Sequence, residues 1–291
     1  MSVGNIDAHV TAPAVQAVEN GQLTAILGTS SCYVVSGADL VEVPGMFGVV
    51  DGGLVKGAWG FEGGQSAVGD IFAWFVNNCV PPAYHQEAEQ RGVSLHELLT
   101  EKAAAQEIGE HGLVALDWHN GNRSILVDAN LSGFIVGQTL VTTAEDQYRA
   151  LLEATAFGLR EIVEAFANAN VAITEVVAAG GLLKNTFLMQ LYCDVIRLPL
   201  SVALTDYAGA LGSAIHAAVA AGAYPDVPTA AEKMGKKIPN AYTPNEEAAK
   251  EYDKLYAEYA TLHDYFGRGE NKVMYRLKDI RRAAKERAHA N

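Results

Sequence analysis

Apolar side chains recur at helical spacing in residues 142–169. Six of them share one face at a period of about 3.6 residues, namely Tyr148, Leu151, Leu152, Leu159, Ile162 and Phe166. Thr143 and Asp146 precede this stripe with the spacing of a capping box, in which each residue satisfies a backbone N–H of the other. The pattern predicts a long amphipathic helix with one buried face.

Shorter apolar runs bounded by glycine predict β-strands. In "GQLTAILGTSSCYVVSG" two β-rich runs are joined by "GTSS", which indicates a hairpin. Later, the strand pattern "ITEVVAAGG", a helix from about Lys184, the strand pattern "LPLSVAL" and the helical pattern "AGALGSAIHAAVAAG" follow one another. Such alternation predicts parallel strands joined by helical crossovers. We therefore predict an α/β fold whose mixed sheet is flanked by helices.

Two further segments are predicted to be helical. Residues 80–116 indicate a helical insertion, with "VSLHELLTEKAAA" as its clearest helix. In residues 226–291 we predict a helical C-terminal extension that packs on the preceding domain, residues 1–225. The last part of the extension, "GRGENKVMYRLKDIRRAAKER", is basic. This composition is typical of a solvated terminal helix, and an interaction tail is the alternative.

The composition limits the class of protein. The chain has 291 residues, 49% of them hydrophobic and 19% charged, as in an ordinary globular protein. No apolar run reaches the ~18 residues that a membrane helix needs, and the start lacks the pattern of a signal peptide. Three widely spaced cysteines favour a reducing cytoplasm over a disulfide framework or a zinc site. A formal charge of -13 argues against nucleic acid as a partner.

A pair of glycines at the end of a strand indicates a site for an anion or a nucleotide. Gly180 and Gly181 let a ligand approach the backbone closely, and the helix that follows has free N–H groups at its start. Asn185 either presents its amide to a base or ribose, or caps this helix. The segment has no lysine-containing GxxxxGK[ST] loop, so any phosphate must be held by other groups.

The hairpin and the start of the chain offer further candidates. Gly28 and Thr29 lie in a turn whose N–H groups can hold phosphate oxygens, although a plain hairpin turn is equally consistent. Gly69, at a predicted helix start, is a second phosphate neighbour. Asp7 precedes a helical run and is either an N-cap or a general base. Glu62 lies among glycines and can bind sugar hydroxyls.

The segment "DWHNGNRS" contains polar residues of less certain role. Arg123 belongs either to a structural loop or to the active cleft, and Asp117 and His119 are predicted to be structural. His9 is predicted to be a packed or surface histidine. No residue is predicted to ligate a metal.

Taken in chain order, these motifs resemble the C-terminal half of FGGY carbohydrate kinases. The matching stretches span nearly the whole chain, and they are "GNIDAH", "LGTSSCY", "FEGGQSAVGDIFAWF", "DWHNGNRS", "AAGGLLKNTFLMQLYCDVIRLPL", "ALGSAIHAAVAAG" and "YAEYATLHDYFGRGENKVMYRLKDI". The resemblance implies an RNase H-like fold of the actin-like ATPase superfamily that uses ATP and Mg²⁺. Within the family, "GNIDAH" and "DWHNGNRS" favour a ketopentose kinase that acts on L-ribulose.

The resemblance also implies roles for individual residues. Asp7 would be the catalytic base, Glu62 a sugar contact, and Gly28 and Thr29 the hairpin that faces the ATP phosphates. Gly69 would lie close to the nucleotide. The adenosine pocket would be lined by Gly180, Gly181 and Asn185.

Several expectations concern the whole protein. Family members are about twice this length, so an N-terminal domain is expected to supply the first phosphate hairpin and most sugar contacts. The chain alone is expected to lack sugar kinase activity, and homo-oligomerisation is left open. The alternatives are an FGGY kinase for xylulose, glycerol or another polyol, and a nucleotide-binding actin-like module without turnover.

Overall fold

The computed structural model describes residues 5–269 and 271–289. Residues 1–4 lie outside these ranges. They begin the segment in which the sequence predicts no signal peptide. The described strands are β1 (Gln22–Leu27), β2 (Ser31–Gly37), β3 (Gly48–Asp51), β4 (Trp59–Gln65), β5 (Val114–Leu116), β6 (Phe134–Val136), β7 (Glu175–Ala179), β8 (Leu200–Ala203) and β9 (Lys237–Tyr242). Seven of them form one sheet in the order β3-β4-β2-β1-β7-β8-β9, and β5 pairs with β6 separately.

The main sheet is mixed, as predicted. The β1–β2 hairpin, β2–β4 and β3–β4 are antiparallel, whereas β7 pairs in parallel with both β1 and β8. The parallel pairs require crossovers, and helices supply them. Strand β9 adds an antiparallel edge to β8, inside the segment predicted to be only helical. Its residues are mostly exposed and include Pro239, so it lacks the apolar alternation that indicates a strand.

Helices account for most of the remaining chain. Those of the described residues are α1 (Asp7–Ala14), α2 (Gly69–Asn78), α3 (Pro82–Arg91), α4 (Leu95–Ala104), α5 (Ala144–Asn168), α6 (Thr186–Ile196), α7 (Ala208–Ala220), α8 (Val227–Met234), α9 (Glu246–Gly267) and α10 (Val273–His289). Helix α5 begins with the predicted capping box, in which Thr143 and Asp146 exchange hydrogen bonds. No helix in the described part of the chain combines the length and the apolar character needed to cross a membrane.

The sheet has a helical layer on each face. Along β7, Val176 and Ala178 belong to one hydrophobic core, and Val177 and Ala179 belong to another. Successive side chains of a strand point to opposite faces, so the two cores lie on opposite sides of the sheet. The larger core includes residues of α5, α6 and α9, and the smaller one includes residues of α1, α7 and α8.

Helices α3 and α4 form the helical piece predicted between residues 80 and 116. Ser94 caps α4 in a capping box with Glu97, and Leu98 and Leu99 are buried. Helix α9 packs on α5 through aromatic side chains, where Tyr259 lies 5.4 Å from Phe157 between ring centroids. The division of the chain at residue 225 stays a prediction.

Candidate active site

The tip of the β1–β2 hairpin is fastened to the start of α2. The Gly28 carbonyl accepts the N–H of Gly69 at 3.0 Å, and the Thr29 carbonyl accepts the N–H groups of Val68 and Asp70 at 2.8 and 3.2 Å. A Cβ on Gly69 would lie 2.7 Å from the Gly28 oxygen, so this approach requires glycine. The first backbone N–H groups of α2 therefore already donate to these carbonyls. An anion at the tip would have to bind to the N–H and hydroxyl groups of the exposed Thr29 and Ser30.

The paired glycines lie against the same hairpin. Gly180 has φ 109° and ψ 179°, a conformation that is almost confined to glycine. A Cβ there would lie 2.3 Å from the carbonyl oxygen of Leu27, the residue before Gly28. Gly181 is exposed, and apart from its chain neighbours no atom of the described residues lies within 4 Å of the position its Cβ would take. The end of β7 therefore contacts the hairpin through Gly180 and leaves open space at Gly181.

A 3-10 turn, Gly181–Lys184, separates the glycine pair from α6. The predicted helix start near Lys184 is thus displaced to Thr186. Asn185 caps α6, since its Oδ1 accepts the Leu188 N–H at 2.9 Å. Its Nδ2 donates to Thr100 Oγ1 of α4 at 3.1 Å. Both ends of the Asn185 amide are therefore engaged.

A cavity of 440 Å³ lies between α4 and the start of α6. It is lined by Ser94, His96, Glu97, Thr100, Glu101, Lys184, Asn185, Thr186 and Phe187. The sequence did not indicate α4 as part of a site, because no local motif shows that residues near 96 approach residues near 185.

Asp7 is the first residue of α1, not its N-cap. The cap position is Ile6, and the structure shows no side-chain cap there. Among the described residues, the exposed Asp7 carboxylate accepts a single N–H, that of the neighbouring Ala8, at 2.9 Å. The capping interpretation of Asp7 is therefore wrong, and its carboxylate stands at the positive end of a helix.

Glu62 of β4 lies in a cluster of polar groups. Its Oε1 accepts from Arg123 at 2.5 Å, and its Oε2 is 3.1 Å from His9 Nε2. Burial raises the pKa of the Cys32 thiol to about 12, and the carboxylates of Glu62 and Asp7 contribute to this rise. Asp7 and Glu62 thus act on the same thiol at the start of β2. Arg123 is thus an ion-pair partner of Glu62, and whether it belongs to the active cleft stays a prediction. His9 is a partner of Glu62 that the sequence did not predict.

Asp117 has the structural role that was predicted. It is buried, with Oδ2 accepting from Gln65 Nε2 at 2.7 Å and Oδ1 accepting from the Tyr259 hydroxyl at 3.1 Å. Burial raises the pKa of the Asp117 carboxyl, although these hydrogen bonds oppose the rise. His119 packs against the Trp74 ring, with 5.0 Å between centroids.

The described residues contain no group of three or more His, Cys, Asp and Glu side chains placed to hold a metal ion. The site therefore consists of a glycine-bounded hairpin, a strand–helix turn, a cavity beside that turn and two nearby carboxylates. This arrangement can hold an anion and accept a proton from a hydroxyl group.

Comparison with known proteins places the chain in a family. Residues 23–221 match the model of the C-terminal domain of the FGGY family of carbohydrate kinases. The chain belongs to this family. The predicted resemblance is therefore confirmed.

Two relatives show how the chain aligns within the FGGY family. It is 61% identical over 287 residues to the ribulokinase of Mycolicibacterium smegmatis, covering 99% of this chain and 51% of the relative. It is 52% identical over 290 residues to the ribulokinase of Shouchella clausii, covering 98% of this chain and 52% of the relative. The chain thus spans about half the length of the curated relatives it matches.

Solved sugar and glycerol kinases confirm the fold. A xylulose kinase from Rhodospirillum rubrum superimposes with a TM-score of 0.74 at 24% identity, covering 88% of this chain and 49% of that one. A Plasmodium falciparum glycerol kinase, solved with ADP, gives a TM-score of 0.70 at 17% identity, covering 88% of this chain and 49% of that one. The chain therefore has the actin-like ATPase fold predicted for it.

Proposed function

We propose that this chain is the nucleotide-binding half of an ATP-dependent kinase that converts L-ribulose to L-ribulose 5-phosphate. The main support for the proposal is that the hairpin, the start of α2 and the glycine pair meet at the carboxyl ends of β1 and β7. Identity to ribulokinases at 61% and 52% favours L-ribulose over xylulose or glycerol as the sugar. The kinases for those other substrates are similar mainly in fold.

The nucleotide would lie along these strand ends. The phosphates would meet Gly28 and Thr29 at the hairpin, close to Gly69. The backbone at Gly180 and Gly181 would face the nucleoside, since the open space at Gly181 allows close approach. Asn185 would line the adenosine pocket beside the 440 Å³ cavity.

The residues present also fit Mg²⁺ as a companion of ATP. Mg²⁺ keeps several waters and is usually held by substrate phosphates with one or two carboxylates, so no cluster of protein ligands is needed. Asp7 is an exposed carboxylate whose charge contributes to the raised pKa of Cys32 in β2, the second strand of the hairpin. When bound, Mg²⁺ would neutralise charge on the phosphates.

Asp7 would act as the general base. Its free carboxylate oxygen would take the proton of the sugar's 5-hydroxyl as that oxygen forms a bond to the γ-phosphorus of ATP. The bond from the γ-phosphorus to the bridging oxygen breaks, and ADP leaves with the electron pair. Glu62, oriented by Arg123 and His9, would accept hydrogen bonds from other sugar hydroxyls.

The other half of the cleft would come from an N-terminal domain like that of the relatives. In-line transfer requires groups on both sides of the moving phosphoryl group, and closure of the second domain would exclude water. The complete kinase would work in the cytoplasm on small molecules, without a nucleic acid or a membrane as partner. We place Asp7, Glu62 and the nucleotide contacts in residues 1–225.

A coupled assay of ADP release tests the proposal. The chain is supplied with ATP, Mg²⁺ and L-ribulose, D-xylulose or glycerol, with and without the separately produced N-terminal half of the Mycolicibacterium smegmatis relative. We expect sugar-dependent ADP release only from the mixture, and fastest with L-ribulose. Equal rates with glycerol, or ribulose-dependent release by the chain alone, would contradict the proposal.

A further inference from the structure

Residues 122–128 form a loop whose two ends are joined by backbone hydrogen bonds. The N–H of Asn122 donates to the Asp128 carbonyl at 2.9 Å, and the N–H of Asp128 donates to the Asn122 carbonyl at 2.8 Å. Inside the loop, the Leu126 N–H donates to Asn122 Oδ1 at 2.9 Å. Because the ends are joined in this way, a shift of Asp128 also moves Asn122 and the next residue, Arg123.

The first end of this loop contacts strand β4. The Arg123 guanidinium donates to Glu62 Oε1 at 2.5 Å, and its central carbon lies 4.5 Å from the centre of the Phe47 ring. Ser124 donates its N–H to the Gly64 carbonyl at 3.1 Å and accepts the Gly64 N–H at its Oγ, also at 3.1 Å. The position of the loop therefore decides how Arg123 meets Glu62.

The second end of the loop, and the residues just after it, contact α10. The Tyr275 hydroxyl donates to Asp128 Oδ2. One turn further along α10, Lys278 Nζ donates to the carbonyls of Ala129 and Leu131 at 2.8 and 3.3 Å. Two side chains of α10 thus bind the stretch of chain that closes the loop.

Asp128 accepts the hydrogen bond from Tyr275 as a carboxylate. Although burial raises the pKa of Asp128, hydrogen bonds from Tyr275 and Asn130 and the charge of Lys278 more than offset this, so the net pKa is lowered. A hydrogen bond to a charged acceptor is stronger than one between neutral groups. Loss of the Tyr275 hydroxyl should therefore loosen this end of the loop.

Helix α10 contacts the protein through its first turns. Met274, next to Tyr275, is buried, and its Sδ accepts the Ser132 N–H at 3.3 Å. In contrast, no residue of 279–289 is buried. The part of α10 that contacts the body of the protein is therefore the part that holds the loop.

We propose that Tyr275 is a positioning residue for sugar binding in the complete kinase, because it holds Asp128 and, through the closed loop, places Arg123 against Glu62. This inference rests on the proposed function, in which Glu62 accepts hydrogen bonds from sugar hydroxyls. It gives the basic C-terminal helix a role in substrate binding that its surface charge does not indicate.

Hydrogen exchange tests the contact on the chain alone, without sugar or nucleotide. In Tyr275→Phe, the backbone amides of Asn122 and Asp128 should exchange about 2- to 30-fold faster, because a side chain that holds their bridge is lost. Tyr265→Phe is the matched control, since Tyr265 is an exposed tyrosine of α9 whose hydroxyl accepts from Asn271, outside the loop. Unchanged exchange in Tyr275→Phe would overturn the inference.

The KM for L-ribulose, measured in the kinase completed with an N-terminal half, tests the link to Glu62. Tyr275→Phe should raise this KM by about 2- to 30-fold with kcat unchanged, whereas Tyr265→Phe should change neither. In the Arg123→Met background, Tyr275→Phe should raise KM no further, because its effect passes through Arg123.

Two kinetic results would overturn the inference while leaving the proposed function intact. One is an unchanged KM in Tyr275→Phe, and the other is the same increase with and without Arg123, which would indicate a purely structural role. Absence of ribulose-dependent ADP release by the completed natural kinase would overturn the proposed function and this inference with it.

Discussion

Substitution of the two adjacent glycines at the end of β7 by alanine should affect stability and ADP binding differently. Gly180→Ala places a side chain in a conformation that costs about 1–3 kcal/mol for residues other than glycine. Its Cβ would also lie 2.3 Å from the Leu27 carbonyl oxygen, which forces the backbone to shift. Overpacking of this kind adds about 1–3 kcal/mol. We expect the free energy of unfolding to fall by about 2–6 kcal/mol, a large part of the ~5–15 kcal/mol of a typical domain.

Gly181→Ala is the matched control for the fold. No atom lies within 4 Å of its Cβ position, so the substitution should leave the free energy of unfolding within about 0.5 kcal/mol. If the nucleotide approaches the backbone at this residue, the added methyl group should nevertheless weaken ADP binding. The pair therefore separates a glycine needed for folding from one needed for ligand approach.

Urea denaturation followed by circular dichroism gives the unfolding free energies, and calorimetry with ADP and Mg²⁺ gives the affinities. The expected pattern is a stability loss confined to Gly180→Ala and an affinity loss without a stability loss in Gly181→Ala. Equal stability in both variants would refute the argument from the Leu27 contact. Full ADP affinity in Gly181→Ala would refute close approach of the nucleotide at this turn.

Three further outcomes follow from the site and the sheet. In the kinase completed with an N-terminal half, Asp7→Asn should lower kcat by about 10²–10⁴-fold without loss of folding, since Asp7 caps no helix, and a near-normal rate would exclude it as the base. Arg123→Met should raise KM for the sugar by about 10-fold or more by freeing Glu62, while ADP affinity measured on the chain stays unchanged. Although burial raises the pKa of Glu175, its hydrogen bonds from Lys237 and Ser201 more than offset this, so the net pKa is lowered. The stabilisation from the ionised Glu175 is therefore present above its unfolded pKa, near 4.5, and is lost as the pH falls through its folded pKa. In Glu175→Gln, the free energy of unfolding should depend less on pH in this acidic range.

Local patterns predicted most of the elements because their causes are local. The capping box at Thr143 and the glycine-bounded hairpin each depend on residues a few positions apart. Strand β9 was missed for a physical reason: it lies at the sheet edge, and its mostly exposed residues show no alternation of buried and exposed positions.

The sequence identified individual candidate residues of the site, but it did not predict which of them contact one another. The glycines at 28, 69 and 180 were identified from sequence, yet the contacts of Gly69 with Gly28 and of Gly180 with Leu27 join segments far apart in the chain. His9 and Glu62 are 53 residues apart, and Asn185 and Thr100 are 85 apart, so no spacing rule connects them. For Asp7, the sequence could not decide between cap and free carboxylate, because the choice depends on where α1 begins.

The central claim is that this chain holds a nucleotide along the edge formed by the hairpin, the α2 start and the strand–helix turn. Hydrogen exchange of the backbone amides, with and without saturating ADP and Mg²⁺, tests it most directly. The account predicts slower exchange together in three segments, at residues 28–30, near residue 69 and at residues 180–185, with little change in α10. Protection elsewhere, or none in these segments although ADP binds, would contradict it.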